Sequence, residues 1–307
     1  MSIIPLKIYF LDMRPHQIRP GAHGDCSLIA FPTGETMLVD SSLPEYAGHI
    51  TAWLRSLGVE KIDWFWASHY HIDHVGSIAQ IAREIPVLHY LGPQFDRTFD
   101  EGYQQHIRAV GCTERRMRAG DTMDVGDVHI EVLFPFPDMQ DECNDALIRS
   151  MYEKPLTAWP DMTPEALSFQ KENFCTLRGE MGNIFSNVFR LTYGSFSMLF
   201  TGDMHMETEQ FLLDHYSPEK LHATVTKIPH HYVQTSGMPA YIRTVRPRMS
   251  IALGDGRWAP WEKKALEEVG ALDLVTGVDG EITLATDGHT LTAAWGKEKS
   301  VSRRFDL

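Results

Sequence analysis

His69-Tyr70-His71-Ile72-Asp73-His74 packs three imidazoles and a carboxylate into six consecutive residues. On an extended segment, residues i and i+2 point to the same side, so His69 and His71 can reach one ion together. Asp73 and His74 come where the chain should turn from strand into helix, which lets them splay toward a second ion. Upstream, Ile62-Asp63-Trp64-Phe65-Trp66-Ala67 reads as a buried strand; downstream, Val75, Ile78, Ile81 and Ala82 recur at helical spacing. The cluster therefore stands at the C-terminal mouth of a strand, where open α/β sheets place their ligands. With each of the four named positions filled at a frequency of about 0.05, chance supplies roughly 0.002 such matches in a chain of this length, which disfavours a merely solvated polar loop.

The chain has 307 residues and 43% hydrophobic content, enough for a large core. Its 28 Lys plus Arg against 41 Asp plus Glu give a net charge of −13. That balance removes any general attraction to phosphate backbones, so nucleic acid is disfavoured as a partner without being excluded. Two divalent ions would offset part of the charge where an anionic substrate approaches. Cys26, Cys112, Cys143 and Cys175 lie far apart with no Cys-x-x-Cys pair, against a thiolate zinc site or a disulfide scaffold and in favour of a reducing compartment. Met1 to Phe10 has no basic n-region, and no apolar run is long enough to span a bilayer, so the expectation is a soluble, cytoplasmic protein without a membrane partner.

Strands are predicted first at Lys7 to Leu11, Cys26 to Phe31 and Thr36 to Val39, an antiparallel meander, followed by an amphipathic stretch from Pro44 to Leu57. The segment at about 135–182 changes character, with many acidic and methionine residues, and reads as a helical insertion that either packs on the flank or lids the site. Strands resume as a hairpin, Ser186 to Tyr193 and Phe196 to Phe200, turning at Gly194-Ser195. Beyond it the pattern predicts a helix over Met206 to Tyr216, strands over Ala223 to Ile228 and Arg248 to Leu253, a helix over Pro260 to Val269 and a last hairpin from Glu281 to Trp295. Two β-rich halves with helices outside make an α/β, four-layer αββα sandwich in one domain spanning residues 1–307.

Two later stretches can complete a metal centre. Thr201-Gly202-Asp203 follows directly on a buried strand, and Asp203 is the candidate bridge between two ions. Ile228-Pro229-His230-His231-Tyr232 supplies a histidine pair after another apolar strand. One of His230 and His231 completes a metal shell; the other hydrogen-bonds a phosphoryl oxygen or protonates a leaving group.

By these residues the chain resembles the metallo-β-lactamase-fold hydrolases, through His-x-His-x-Asp-His at His69, His71, Asp73 and His74. It is most similar to the branch found in the hydrolase domain of DNA-uptake (competence) channel proteins and their free-standing relatives. The supporting matches are Gly24 to Ile29 before a strand reaching Met37-Leu38-Val39-Asp40, the Asn183 to Leu191 step, Phe200-Thr201-Gly202-Asp203 and the His-His pair. Two positions depart from that branch. The pair runs into Tyr232-Val233 where relatives continue Gly-Ser, and Trp258-Ala259-Pro260 replaces a Gly-His-Pro. A histidine serving the site from that loop is then either missing or replaced by another group, such as His23 or Asp40.

The implied cofactors are two divalent metal ions, zinc before manganese. His69, His71 and a histidine of the pair bind one ion, Asp73 and His74 bind the other, and Asp203 lies between. Asp73 and His231 are the expected catalytic residues, and Asp25 and Asp40 orient the imidazoles from behind. The bound ions make hydroxide available at neutral pH, so hydrolysis needs no side-chain nucleophile. A phosphodiester of a small or nucleotide-like molecule is the expected substrate, chosen on the resemblance. Ester, thioester or lactone hydrolysis is the alternative, and a metal-binding module without catalysis is the third reading.

Overall fold

A computed structural model describes residues 4–14, 24–93, 110–137, 181–233, 235–255, 259–296 and 299–307. The chain opens with β1 (Leu6–Phe10), β2 (Ser27–Ala30), β3 (Thr36–Val39), β4 (Ile62–Trp66), β5 (Val87–Pro93) and β6 (Thr113–Met117). It continues through β7 (Thr122–Val125), β8 (Val128–Phe134), β9 (Val188–Tyr193), β10 (Phe196–Phe200), β11 (Val225–Lys227), β12 (Met249–Ala252) and β13 (Leu272–Val275). Three further strands close it: β14 (Ile282–Thr286), β15 (Thr290–Trp295) and β16 (Val301–Asp306). They form a nine-stranded sheet, in the order β16-β15-β14-β1-β2-β3-β4-β5-β6, and a seven-stranded sheet, β13-β12-β11-β10-β9-β8-β7.

Each sheet changes from antiparallel to parallel along its width. The meander β1-β2-β3 pairs antiparallel, and β3-β4-β5-β6 are parallel. In the second sheet β8-β9-β10 are antiparallel and β10-β11-β12-β13 parallel. Residue patterns follow this division. On β1, Leu6, Ile8 and Phe10 face the core while Lys7 faces out, as expected of a sheet covered differently on its two faces. On β10 and β12 every residue is buried, because helices cover the outer face of parallel strands and the other sheet covers the inner one.

Between the sheets Ile8, Met37 and Trp66 from one side meet Ile130, Phe189 and Phe200 from the other. The Trp66 ring stacks on Phe189 at 4.1 Å, and Phe189 stacks on Phe200 at 4.7 Å. The helices Ala47–Ser56 and Ile78–Ile81 lie on the outside of the first sheet. Met206–His215, Pro239–Val245 and Pro260–Val269 cover the second. The result is the four-layer αββα sandwich of the metallo-β-lactamase fold.

One difference from the sequence reading lies at the C-terminus. The C-terminal hairpin gains a third strand, β16, whose Val301-Ser302-Arg303-Arg304 is exposed and pairs antiparallel with β15. Most of the expected insertion at 135–182 lies outside the described residues, which resume with a short helix, Met181–Ile184. Among the described residues no helix is long and apolar enough to cross a membrane.

Candidate metal centre

The parallel strands of both sheets end at one edge of the sandwich, and the site is assembled from the residues just past those ends. Asp40 follows β3, the His69–His74 motif follows β4, Asp203 follows β10, and His230-His231 follow β11. Strands running the other way enter from the same edge: Asp25 precedes β2, and Asn183, Ser186 and Asn187 precede β9. Backbone bonds lock these loops together. Asp25 N donates to Asp73 O at 3.2 Å, Ser41 N to His74 O at 2.6 Å, and Asn187 N to Ser68 O at 2.7 Å. Gly24 has to be a glycine, since a Cβ there would sit 2.3 Å from the Asp73 carbonyl oxygen.

Asp73, His74, Asp203 and His231 each present a ligand atom within 4.8 Å of the others. The Asp203 carboxylate is central: Oδ2 lies 3.1 Å from His74 Nε2, 3.2 Å from His231 Nε2 and 4.0 Å from His230 Nε2. Asp73 Oδ2 lies 3.6 Å from His231 Nε2 and 3.9 Å from His74 Nε2. His231 is therefore the member of the pair that joins the carboxylates, and it stands with Asp73 and His74 rather than with His69 and His71. His230 turns away. Its Nδ1 is 2.6 Å from Thr235 Oγ1, its Nε2 is 3.2 Å from the Asn183 amide nitrogen, and its ring stacks on His205 at 5.0 Å.

Three consecutive non-glycine residues produce this divergence. His230, His231 and Tyr232 have φ of 46°, 53° and 68°, in the left-handed region. Such geometry costs of order 1 kcal/mol per residue and persists only when the surroundings impose it. Tyr232 stands where the resembled branch has glycine, which adopts this conformation without cost. The tyrosine is held there by complete burial and by donating its hydroxyl to Asp273 Oδ1 at 2.5 Å. Tyr232→Phe is expected to lower stability by about 1–2 kcal/mol through loss of that bond, read by urea unfolding; an unchanged midpoint would show that the hydroxyl contributes nothing to holding the turn.

His69 and His71 form the other half of the site, their rings 4.6 Å apart. His69 Nδ1 meets Ser68 Oγ at 3.1 Å, while Nε2 is buried with no hydrogen-bond partner among the described residues. Burial, with the positive charge of His74 and His71 beside it, holds its imidazole well below the ordinary range, and hence neutral. A neutral buried imidazole with one nitrogen anchored and the other left without a hydrogen-bond partner is what a metal ligand requires. The residues present therefore fit a bound divalent cation. His71 is half-buried, and a Cβ on Gly182 would lie 2.7 Å from its Nε2, so the chain before β9 passes directly over it.

Behind these side chains stands a hydrogen-bonded frame. Asp40 Oδ2 takes His74 Nδ1 at 2.9 Å, and its two oxygens also accept from Ser68 N and Ser68 Oγ. Asp25 Oδ1 lies 3.1 Å from His231 Nδ1, which also meets Leu253 O at 2.8 Å. Asp25 and Asp40 thus sit behind the imidazoles as the sequence reading placed them. Burial alone would depress the imidazoles of His74 and His231. Asp203 and Asp40 outweigh it for His74, and Asp203 and Asp25 for His231, so both are held well above the ordinary value. A ligating imidazole is neutral, so cation binding here displaces protons.

Lys227 is the principal residue the sequence reading missed. Its side chain is 4% exposed, with Nζ 2.6 Å from Asp25 Oδ2, 3.6 Å from Asp203 Oδ1 and donating to Gly202 O at 2.7 Å. A lysine in a central parallel strand, with every neighbour on that strand buried, must have a buried acceptor, and that was the available signal. His205 and the Asn183 amide, 3.4 Å apart, were also not singled out. Of the groups considered in place of a histidine at 259, Asp40 is committed to His74. Ala259 is buried and offers no donor atom, and His23 and Trp258 lie outside the described residues.

Beyond the histidine turn, the buried Glu209 accepts from Gly237 N and Met238 N, both at 2.7 Å. Burial outweighs those donors and pushes its carboxyl up to about 8 from 4.5. The unfolded chain releases this proton near pH 4.5 and the fold holds it to about pH 8, so stability falls as pH rises between them and is level with respect to this group outside that window. The contribution is about 1.4 kcal/mol per pH unit. Urea titrations of Glu209→Gln across this range are expected to show a slope shallower by about one proton; an unaltered slope would mean that Glu209 is ionised in the fold.

Residues 19–139 match the family model described as the Metallo-beta-lactamase superfamily. A curated protein of Aquifex aeolicus (strain VF5), described only as uncharacterized, is 31% identical over 117 residues, covering 36% of this chain and 53% of its own length. The chain thus spans about half of that relative. Among solved structures, the metallo-beta-lactamase fold protein YhfI from Bacillus subtilis has a TM-score of 0.51 at 14% identity, covering 88% of this chain and 96% of YhfI. CmlA, a diiron beta-hydroxylase from Streptomyces venezuelae, has a TM-score of 0.54 at 12% identity, covering 93% of this chain and 55% of CmlA. Likeness at such identities shows the fold alone.

Proposed function

We propose that this chain, whose residues 19–139 match the Metallo-beta-lactamase superfamily model, is a dinuclear metal-dependent hydrolase of a phosphodiester in a small, nucleotide-like molecule, working in the cytoplasm with zinc or, second, manganese. The observation that carries the reading is the meeting of Asp73, His74, Asp203 and His231 within 4.8 Å, beside a neutral His69 whose buried Nε2 has no hydrogen-bond partner among the described residues. His69 and His71 would hold one ion, Asp73, His74 and His231 the other, and Asp203 would lie between them. When bound, the cations supply Lewis acidity and make hydroxide available near neutral pH.

The remaining work falls to the chain's own groups. Asp40 and Asp25 fix the orientation of His74 and His231 through their Nδ1 atoms, and Lys227 holds Asp25 and Asp203 in place from the buried side. His230 is 17% exposed at the rim, with Nδ1 on Thr235 Oγ1 and Nε2 accepting from the Asn183 amide nitrogen, so Nε2 carries no proton in this arrangement. The Asn183 amide bridges His230 and His205 and keeps that ring in position. The phosphodiester assignment rests on the resemblance to the hydrolase domain of competence channel proteins and on the fit of paired cations to a phosphoryl group.

The test is turnover of bis(p-nitrophenyl) phosphate by zinc- and manganese-loaded protein, beside a panel of thioesters and lactones. Turnover of the phosphodiester is expected. Activity confined to the panel would transfer the site to acyl chemistry, and none on either, with metal bound, would support a binding module.

A further inference from the structure

At the opposite edge of the second sheet, the N-terminal ends of β11, β12 and β13 carry a concentration of positive charge that the metal centre does not use. His222 precedes β11, Arg246 and Arg248 precede β12, and Arg303 and Phe305 reach across from β16. Together they line a groove of about 460 Å³, within the range of small-ligand sites. On a chain of net charge −13, this is the reverse of the general surface.

Among the described residues none of the three arginines has an ion-pair partner. Arg248 donates to the backbone carbonyl of Asp306, and the Arg303 guanidinium lies 5.0 Å from the Phe305 ring centroid. Arg246 is exposed, and its backbone is left-handed, φ 45° and ψ 55°, at the end of the helix Pro239–Val245. Glycine or asparagine is the usual residue at such a helix end. An arginine there accepts backbone strain and contributes a guanidinium to the groove. The field is felt locally: partial burial first, and then Arg190, Arg246 and Arg248, hold the His222 imidazole below its ordinary value. Three guanidinium forks without carboxylates suit phosphate oxygens, which they bind in pairs. Phe305 and the adjoining Val269 give the same groove an apolar wall on which a ring can lie.

We propose that this groove binds a phosphorylated small molecule of nucleotide size, with its phosphates on Arg246, Arg248 and Arg303 and its ring against Phe305. The site is separate from the metal centre and does not depend on the proposed hydrolysis.

Calorimetric titration of the zinc-loaded protein with ADP, and separately with inorganic pyrophosphate, tests it, each with and without EDTA. One equivalent is expected to bind in EDTA, where the metal centre is emptied, and to weaken as salt is raised. Arg246→Gly with Arg303→Gln is expected to weaken it at least tenfold. The glycine relaxes the backbone at 246, and Arg303 lies on an exposed edge strand. If the double variant unfolds, Arg303→Gln alone gives the readout. ADP binding more tightly than pyrophosphate, with the difference removed by Phe305→Leu, assigns a nucleotide; equal binding assigns a free polyphosphate. Absence of saturable binding in EDTA, or binding indifferent to both arginines, would overturn the proposal. Tighter capture of a single-stranded oligonucleotide than of ADP would overturn the small-ligand assignment.

Discussion

Asp203→Asn is expected to leave the fold intact and reduce metal-dependent hydrolysis by about a thousandfold or more, equivalent to about 4 kcal/mol of barrier. The substitution preserves shape and removes the charge from the one carboxylate among the described residues that lies within 4.0 Å of His74, His230 and His231 together. Its backbone anchor, Asp203 N to Ser186 Oγ at 3.0 Å, is untouched. Steady-state turnover at saturating zinc, with zinc content measured on the same sample, checks it. A variant that retains full metal content and more than a tenth of wild-type turnover would remove Asp203 from the centre of the site.

Lys227→Met is expected to destabilise the chelated protein by about 3–5 kcal/mol, because it leaves Asp25 and Asp203 buried together without their shared cation. Burial raises both carboxyls, yet Lys227 with His231 and His74 brings Asp25 below its ordinary value, and His231 with His74 does the same for Asp203. Removing the lysine returns much of that desolvation cost to the fold. The loss should be smaller in zinc-loaded protein, where bound cations neutralise Asp203 from the other side. Urea unfolding with and without EDTA measures both. A loss below about 1 kcal/mol in EDTA would mean the ammonium is not buried against these carboxylates.

What could be read from the chain was whatever lay within one strand and its exit. The motif at 69–74, Asp203 and the pair at 230–231 each follow an apolar run, and strand mouths are where ligands gather. The side to which His231 turns was not legible. It is decided by three left-handed residues, the last of which, Tyr232, is buried and tied through its hydroxyl to Asp273, 41 residues further along the chain. Lys227 was hidden in Val225-Thr226-Lys227, where a single charge is easily read as an outward residue of an alternating strand. The strand β16 was missed because Arg303-Arg304 is charged and exposed, as edge strands often are, and carries little periodic signal. The Gly24 requirement became visible only with Asp73 O pressed against it.

The central claim is that side chains from separate strand ends together hold two cations. Elemental analysis of protein purified without chelator and reloaded with zinc tests it most directly, beside His69→Ala and Asp73→Ala. The account expects two equivalents of zinc per chain in the wild type and a loss in each variant. A wild-type chain that takes up no stoichiometric metal, or variants that keep the full complement, would contradict it.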